Sequence, residues 1–435
     1  MKKGLLTGFA IAMLGFSAVS EAQSGDTPEQ KLSWLSTEIG LLLKKDQPPL
    51  FAWHLRSLKA LAISEYSKLV VEVPQSERQS VADRTKEFNE FVGAITTGLK
   101  DYCSDPDLYL KEGKRGLVLA RPSAIDGSLQ YMMVGLPKDW DPNKAYPLFV
   151  SLHGSGPDNP LAYPSYGFGP DTPPKADAPV DATSGMIHLT PWGRGNRGWR
   201  NDAETDLLEA LRLLKTFCKV DPDRMYITGH SSGADGCWAI LQHMPDVWAA
   251  GGLQSGSMVS GRPEWGLIPN MSYVPVYFLI GEKDPLPGRV PDMKEAYQIM
   301  TKLGDDTRLV ILPGIGHYPL TDQGLADQAA WMVSHVRTRP AKFAFTVDQA
   351  AHPGVWGIRV PFNQGLSRLV KEPWPHFECE IKGQEVHIKT KNIKSLNVDL
   401  GHNGLQMSGD VKLFVNGKQI VNGPVPTTVV VIKRV

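Results

Sequence analysis

The strongest constraint on the fold is a series of short apolar segments between residues 115 and 338, separated by segments with helical periodicity. Between two of them, residues 204–220 carry Leu207, Leu211 and Leu214 on one helical face. Short strands that are apolar throughout and alternate with helices are typical of a parallel sheet covered on both faces. The sequence therefore predicts an α/β fold with a mostly parallel sheet. The clearest apolar segments are YPLFVSLHG (146–154), RMYITG (224–229), VPVYFLIGEKD (274–284) and TRLVILPG (307–314).

Two further regions flank this one, as expected for a chain of 435 residues, which is too long for one ordinary core. Residues 27–100 repeat apolar residues at three- and four-residue steps, with breaks at 46–50 and 72–79. After residue 340 the sequence is β-rich, and Asn416–Gly417 predicts a hairpin turn. We therefore expect an N-terminal helical subdomain at 23–112, the α/β domain at 113–339 and a small all-β domain at 341–435.

The N-terminus resembles a secretory signal peptide. Lys2 and Lys3 precede an apolar run that extends to about Val19, and small residues at Ser20 and Ala22 suit cleavage. We interpret residues 1–22 as this peptide, with a membrane anchor as the alternative, and expect a periplasmic or secreted protein with no membrane attachment after cleavage. Lys and Arg number 46, as do Asp and Glu. This balance gives no electrostatic reason to expect a nucleic acid partner.

The chain has four cysteines, which an oxidising compartment allows to form disulfides. They permit three pairings, and the sequence alone does not choose among them. Two of them lie on segments that neighbour each other in the expected fold, so Cys218 and Cys237 are the pair to test. Buried free thiols are the alternative. The four residues are Cys103, Cys218, Cys237 and Cys379.

A candidate nucleophile lies between a predicted strand and a predicted helix, in Gly229-His230-Ser231-Ser232-Gly233. Serine in this strand–turn–helix context is exposed above the sheet at a strained, crowded turn. The two glycines suit that turn, because a side chain there would collide with the neighbouring backbone. We expect His230 to point away from the nucleophile.

A serine hydroxyl needs a base, and the base needs a carboxylate to orient it. Asp284 ends one predicted strand and His317 follows the next, so both lie where open α/β sheets place their sites. The chain order Ser, Asp, His is that of the strand–turn–helix nucleophile class. Asp284 is the preferred carboxylate. Four other carboxylates remain alternatives: Glu282, Asp305, Asp306 and Asp322.

An oxyanion hole is expected beside the nucleophile. The segment LHGSGP (152–157) follows a predicted strand, and backbone N–H groups near Ser155 and at Ser232 are suited to bind a developing negative oxygen. His153 is expected to support this loop structurally. The spacing of His, Cys and Glu indicates no metal site, and no phosphate-binding glycine motif is present. We therefore expect no metal and no cofactor.

Taken together, YPLFVSLHGSG, DPDRMYITGHSSGADGCW, FLIGEKDP and GIGHYP resemble the α/β-hydrolase superfamily. They look closest to secreted esterases of the feruloyl-esterase and polyhydroxybutyrate-depolymerase-like group. The resemblance covers roughly residues 115–338 and implies a triad of Ser231, His317 and Asp284 with backbone donors at Ser155 and Ser232. It implies a serine esterase that forms an acyl-enzyme.

The expected partner is an ester, and aromatic residues near the strand ends suit a phenolic acyl group or a sugar ring. The candidates for substrate contact are Trp192, Tyr166 and Trp265, with internal packing as the alternative. We expect feruloyl or acetyl esters of plant polysaccharides, with a polyester as the nearest alternative. A serine peptidase of the prolyl-oligopeptidase type and a non-catalytic carbohydrate-binding protein are the other hypotheses.

Overall fold

The computed structural model of the chain describes residues 27–70, 80–104, 117–138, 140–155, 182–195, 197–257, 262–318, 321–362, 370 and 373–433. The proposed signal peptide at 1–22 lies outside these residues. Eight strands form the central sheet: β1 (Leu117–Pro122), β2 (Leu129–Gly135), β3 (Tyr146–Leu152), β4 (Ile187–Pro191), β5 (Val220–His230), β6 (Ala250–Gln254), β7 (Val276–Gly281) and β8 (Thr307–Leu312).

The order of the strands in the sheet is β1-β2-β4-β3-β5-β6-β7-β8. The strands from β4 to β8 in this order pair in parallel, and β2 pairs antiparallel with both β1 and β4. The prediction of a mostly parallel sheet is confirmed. The carboxyl ends of the parallel strands share one edge of the sheet, which we call the C-terminal rim.

Seven α-helices and one 3₁₀ helix belong to this part of the described chain. Three helices precede the sheet, and the others connect its strands or follow β8. They are α1 (Pro28–Leu42), α2 (Pro49–Val70), α3 (Val81–Ser104), α4 (Asp202–Phe217), α5 (Ser232–His243), the 3₁₀ helix (Arg262–Met271), α6 (Arg289–Leu303) and α7 (Asp322–Val333).

The two faces of the sheet are covered by different helices because successive strand side chains point to opposite faces. In β3, Leu148 and Val150 belong to a large core that also contains Trp238 of α5. Phe149, between them, belongs to a smaller core with Met332 of α7. The apolar runs in the sequence therefore correspond to strands buried on both sides.

Side chains of α2 cover the outer edge of β1, which would otherwise present unpaired backbone groups to solvent. The N–H of Val118 donates to Nδ1 of His54 at 2.8 Å, and the N–H of Ala120 donates to Oγ of Ser57 at 2.8 Å. Nε1 of Trp53 donates to the Ala120 carbonyl at 3.0 Å. The N-terminal helices also share one hydrophobic core with the sheet, so they cap the sheet and complete its core.

The C-terminal region contains two sheets around a core of its own. Asn416 and Gly417 both have positive φ between two antiparallel strands, which confirms the predicted hairpin turn. The nine strands are β9 (Lys342–Thr346), β10 (Gly354–Val355), β11 (Ile358–Arg359), β12 (His376–Lys382), β13 (Glu385–Lys391), β14 (Ser395–Val398), β15 (Asp410–Val415), β16 (Lys418–Pro424) and β17 (Val430–Lys433).

Polar contacts join the two regions, which we call the sheet domain and the C-terminal domain. The N–H of Trp356 donates to Asp246 at 2.8 Å, and its indole donates to the Tyr273 hydroxyl at 3.0 Å. The side-chain amide of Asn270 donates to the Thr346 carbonyl at 2.9 Å. Trp356 is 4% exposed, so its indole serves this interface.

The cysteines do not form the pair that the sequence suggested. Cys218, Cys237 and Cys379 are buried free thiols, so the alternative of buried thiols is correct for them. Burial raises the pKa of Cys218 to about 12, which keeps this thiol protonated and unreactive. The side chain of Cys103 lies outside the description. Within the described residues, no helix has the length and apolar character needed to cross a membrane.

Candidate active site

Ser231 lies at the turn between β5 and α5, at the C-terminal rim of the sheet. Its backbone has φ 56° and ψ −120°, a strained conformation for a non-glycine residue. A Cβ on Gly229 would lie 2.3 Å from the Gly233 backbone, and one on Gly233 would lie 2.2 Å from the Leu152 carbonyl oxygen. The two glycines are therefore required by contacts on either side of the serine.

The structure brings the three predicted side chains together. Nε2 of His317 is 3.0 Å from Oγ of Ser231, and Nδ1 of His317 is 2.9 Å from Oδ2 of Asp284. The imidazole is 15% exposed and the carboxylate side chain is fully buried. One nitrogen of the ring is thus oriented by a carboxylate while the other faces the hydroxyl at the rim.

Asp284 remains ionised despite its burial. Burial alone would raise the pKa of its carboxyl, but the hydrogen bonds from His317 and from the Leu286 N–H outweigh it, so the pKa lies below its ordinary value. The Leu286 N–H donates to Oδ1 at 3.0 Å. A carboxylate that accepts two hydrogen bonds is suited to stabilise an imidazolium beside it.

The competing carboxylates have other positions. Glu282 accepts the Gly314 N–H at 2.9 Å, and Asp306 contacts His335 at 3.1 Å. Asp305 precedes β8, at the opposite end of that strand from His317. The side chain of Asp322 lies outside the description. Asp284 is the carboxylate that faces His317.

The predicted oxyanion loop lies against Ser231. A Cβ on Gly154 would lie 3.1 Å from the His230 carbonyl oxygen and 3.3 Å from Cβ of Ser231. Oγ of Ser155 donates to Oγ of Ser232 at 3.0 Å, which ties this loop to the start of α5. The N–H of Ser232 is in the first helical turn, where backbone donors have no intrahelical acceptor.

Two further histidines support the site. His153 begins the predicted oxyanion loop, and its ring nitrogens lie 2.9 Å from the Gly154 carbonyl and 2.8 Å from the Trp192 carbonyl. The ring of His230 turns to the base, because its Nε2 is 2.9 Å from the backbone oxygen of His317. The sequence did not predict this contact, because it showed only that His230 precedes Ser231 in the chain.

A serine at a strained strand-to-helix turn, a mostly parallel sheet and the chain order Ser, Asp, His define a known architecture. The sheet domain has the α/β-hydrolase fold.

Solved structures similar to this chain include esterases and a serine hydrolase. A thermostable esterase has 20% identity over 51% of this chain and 63% of its own, with a TM-score of 0.42. A CE1 ferulic acid esterase from Anaeromyces mucronatus has 16% identity over 50% and 89%, with a TM-score of 0.37. A fluorophosphonate-binding serine hydrolase from Staphylococcus aureus has 16% identity over 50% and 99%, with a TM-score of 0.41. No family model matches the sequence, and the search of curated proteins finds no match.

The predicted substrate aromatics have different outcomes. Trp192 is only 9% exposed and stacks on Tyr131 with 5.3 Å between ring centroids, so internal packing describes most of its surface. Tyr166 lies outside the described residues, as does the side chain of Trp265. Trp192 does line a surface groove of about 740 Å³, together with Arg194, Arg197 and residues of α2. The Trp192 carbonyl contacts His153 of the predicted oxyanion loop, but Ser231, Asp284 and His317 are not among the residues that line this groove.

Proposed function

We propose that the protein is a serine carboxylic-ester hydrolase that acts through an acyl-enzyme. The observation that carries the proposal is the position of His317, whose two nitrogens lie 3.0 Å from a serine hydroxyl and 2.9 Å from a buried carboxylate. This relay links a nucleophile, a base and an orienting group within hydrogen-bond distance.

In the first half of the reaction, Nε2 of His317 takes the proton of Ser231 as Oγ attacks the ester carbonyl carbon. Asp284 accepts the Nδ1–H bond, fixes the tautomer and stabilises the imidazolium. The carbonyl oxygen becomes an oxyanion, which the N–H groups of Ser155 and Ser232 bind. One such donor contributes about 3–4 kcal/mol to transition-state stabilisation.

In the second half, the tetrahedral intermediate collapses and His317 donates its proton to the departing alcohol. The acyl group remains on Ser231. Water then attacks the acyl-enzyme, with His317 as the base and the same oxyanion donors, and releases the carboxylic acid.

For the substrate, we propose feruloyl or acetyl esters of plant polysaccharides. The support for this proposal is Trp192, whose carbonyl contacts His153 and which lines a groove of about 740 Å³, a volume in the range of ligand pockets. The lining of this groove includes Trp192 and the exposed Arg197, which suit a ligand with aromatic and hydroxylated parts, whereas the guanidinium of Arg194 is held by Asp126 and Asp206. We also propose secretion by the peptide at 1–22.

Polyester hydrolysis needs the same three side chains and remains the alternative within this chemistry. A peptidase of the prolyl-oligopeptidase type has less support, because three helices precede β1 in the described chain where such enzymes usually carry a β-propeller. A binding protein without catalysis also has less support, because binding alone does not require a histidine within hydrogen-bond distance of a strained serine.

The first experiment is labelling with a fluorophosphonate, followed by peptide mass mapping. We expect the label on Ser231 and no label in the Ser231→Ala variant. Ser257→Ala, a change in the loop after β6, is the matched control and keeps the label on Ser231. Label on another serine would contradict the proposed nucleophile.

The second experiment is a substrate panel of p-nitrophenyl acetate, methyl ferulate, acetylated xylan, a short polyhydroxybutyrate oligomer and a peptide p-nitroanilide. We expect turnover of methyl ferulate or of acetylated xylan, and none of the anilide. Cleavage of the polyester oligomer in preference to both carbohydrate-type esters would favour the alternative. Turnover of the anilide alone would refute the esterase proposal.

A further inference from the structure

Three ionisable side chains from separate parts of the chain meet at the boundary between the two domains. Glu204 is in α4, His243 is the last residue of α5, and His352 belongs to the C-terminal domain. Their side chains are 2%, 7% and 4% exposed. Ionisable groups this deeply buried require a compensating charge or complete hydrogen bonding.

The donor atoms of these residues converge on one point. Nδ1 of His243 is 2.8 Å from Oε1 of Glu204, and Nε2 of His352 is 3.1 Å from the same oxygen. All three atoms lie within 4.8 Å of one another. The ring centroids are 4.9 Å apart. Two imidazoles bound to one tetrahedral ion with bonds of about 2.0–2.1 Å have centroids about 5 Å apart.

A fourth residue orients one of the histidines from outside. Oδ2 of Asp348 lies 3.3 Å from Nε2 of His243. Metal-ligating histidines usually donate their other ring N–H to a carboxylate or carbonyl in this way. The side-chain amide of Gln349 also lies 3.4 Å from Nε2 of His243, so polar groups of the C-terminal domain hold this ring on the side away from Glu204.

We propose that Glu204, His243 and His352 bind a divalent ion of the zinc class that links the sheet domain to the C-terminal domain. Two imidazole nitrogens and one carboxylate oxygen are ligands that zinc accepts, whereas calcium and magnesium take oxygen ligands. Three protein ligands leave one position of a tetrahedral ion for water. The ion moves the donor atoms apart by a few tenths of an ångström, to edges of about 3.3 Å.

The spacing of His, Cys and Glu in the sequence indicated no metal site, because these three ligands are far apart in the chain. Local metal motifs place ligands a few residues apart, but 39 residues separate Glu204 from His243, and His352 lies in another domain. Only the docking of the C-terminal domain brings the third ligand to the other two. The proposed ion therefore stabilises that docking, and its binding is independent of the proposed esterase activity.

The test uses the full chain, purified without a polyhistidine tag from medium containing zinc. Elemental analysis is expected to find about one zinc-class ion per chain. Dipicolinate is expected to remove it and lower the melting temperature, and zinc is expected to restore both. Co²⁺ added to the apoprotein is expected to give the visible absorption of a four-coordinate site with nitrogen and oxygen ligands. The Co²⁺ measurement needs no substitution, so it does not depend on whether a variant folds.

Variants locate the ion. His352→Ala is expected to lose it, while His335→Ala keeps it, because His335 makes a comparable 3.1 Å contact with a carboxylate of Asp306 outside the cluster. Ser231→Ala is expected to bind the ion like the wild type, which separates this inference from the esterase proposal. Substoichiometric metal with a melting temperature insensitive to the chelator would overturn the proposal and leave the cluster as a buried hydrogen-bonded network. Equal loss of metal from His335→Ala would also overturn it.

Discussion

The C-terminal rim of the sheet and the outer edge of β1 use the same two residue types for different purposes. At the rim, Ser231 faces His317, whose other nitrogen contacts Asp284. At the edge, Ser57 and His54 each accept a backbone N–H of β1. A serine and a histidine are therefore compatible with chemistry in one place and with edge protection in the other.

The difference lies in what each imidazole faces. Nδ1 of His317 contacts a buried carboxylate, and its Nε2 faces the hydroxyl from which we propose that it takes a proton. Nδ1 of His54 is occupied by the Val118 N–H. Burial lowers the pKa of His54 to about 4, against a smaller opposing effect of the Val118 carbonyl, which lies 3.2 Å from Nδ1. A base requires an orienting carboxylate and a lone pair directed at the nucleophile.

The largest expected difference between the two regions concerns the serines. Ser231→Ala is expected to lower kcat/KM for p-nitrophenyl acetate by about 10⁵- to 10⁶-fold, because it removes the attacking oxygen. Ser57→Ala is expected to leave kcat/KM within about twofold. Steady-state kinetics on both variants measures this, with circular dichroism to verify folding. Equal losses of activity in the two variants would contradict the assignment.

The carboxylate comes next. Asp284→Asn is expected to lower kcat by about 10⁴-fold, because an amide in place of the carboxylate favours the wrong tautomer of His317. Glu282→Gln is the matched control, since its carboxylate contacts the Gly314 N–H, and we expect its kcat to change less than tenfold. A larger loss of kcat in Glu282→Gln than in Asp284→Asn would indicate that Glu282, not Asp284, orients His317.

A smaller effect is expected from the titration of His54. Below its ordinary pKa of 6.5, the unfolded chain takes up a proton that the folded chain excludes until about pH 4. The stability that this residue contributes is therefore present above pH 6.5 and falls by about 3 kcal/mol as the pH decreases to 4. Urea unfolding at several pH values between 4 and 7 measures how steeply the free energy of unfolding changes with pH.

The variant His54→Asn supplies the control for this slope, because an amide accepts the Val118 N–H and does not titrate. The free energy of unfolding of this variant is expected to be lower at pH 7 but flatter between pH 6.5 and 4. Parallel curves for the variant and the wild type would show that His54 does not carry the pH dependence.

The smallest expected effect is the stability change at Ser57. Ser57→Ala leaves the buried Ala120 N–H without its acceptor, and we expect the free energy of unfolding to fall by about 1–2 kcal/mol. Ser67→Ala, which removes an exposed hydroxyl further along α2, is expected to change it by less than about 0.5 kcal/mol. Denaturant titration at pH 7 distinguishes the two.

The parts of this molecule that follow from local patterns could be predicted from the sequence. The strand–turn–helix context of Ser231 and the strand-end positions of Asp284 and His317 indicated which side chains meet, because parallel strands end at one rim. The turn at Asn416–Gly417 was predictable because both residues must adopt positive φ. These inferences need only the neighbours of each residue and the topology of a parallel sheet.

Features that depend on packing between distant segments could not be predicted. The contact of His230 with the His317 backbone, the burial of Trp192 and the covering of β1 by α2 each require two segments whose relative position no local pattern encodes. The meeting of Glu204, His243 and His352 requires three. The suggested Cys218–Cys237 pair is wrong for the same reason, since neighbouring elements can place their thiols apart.

Helix α5 connects two of the places described above. It begins directly after Ser231 and ends at His243, and its 12 residues span about 18 Å at 1.5 Å per residue. A hydrogen-bonded helix of this length behaves as a stiff rod, so a tilt imposed at its far end displaces its near end. We therefore expect substitutions in the C-terminal domain that change the position of His243 to shift the Ser231 hydroxyl as well.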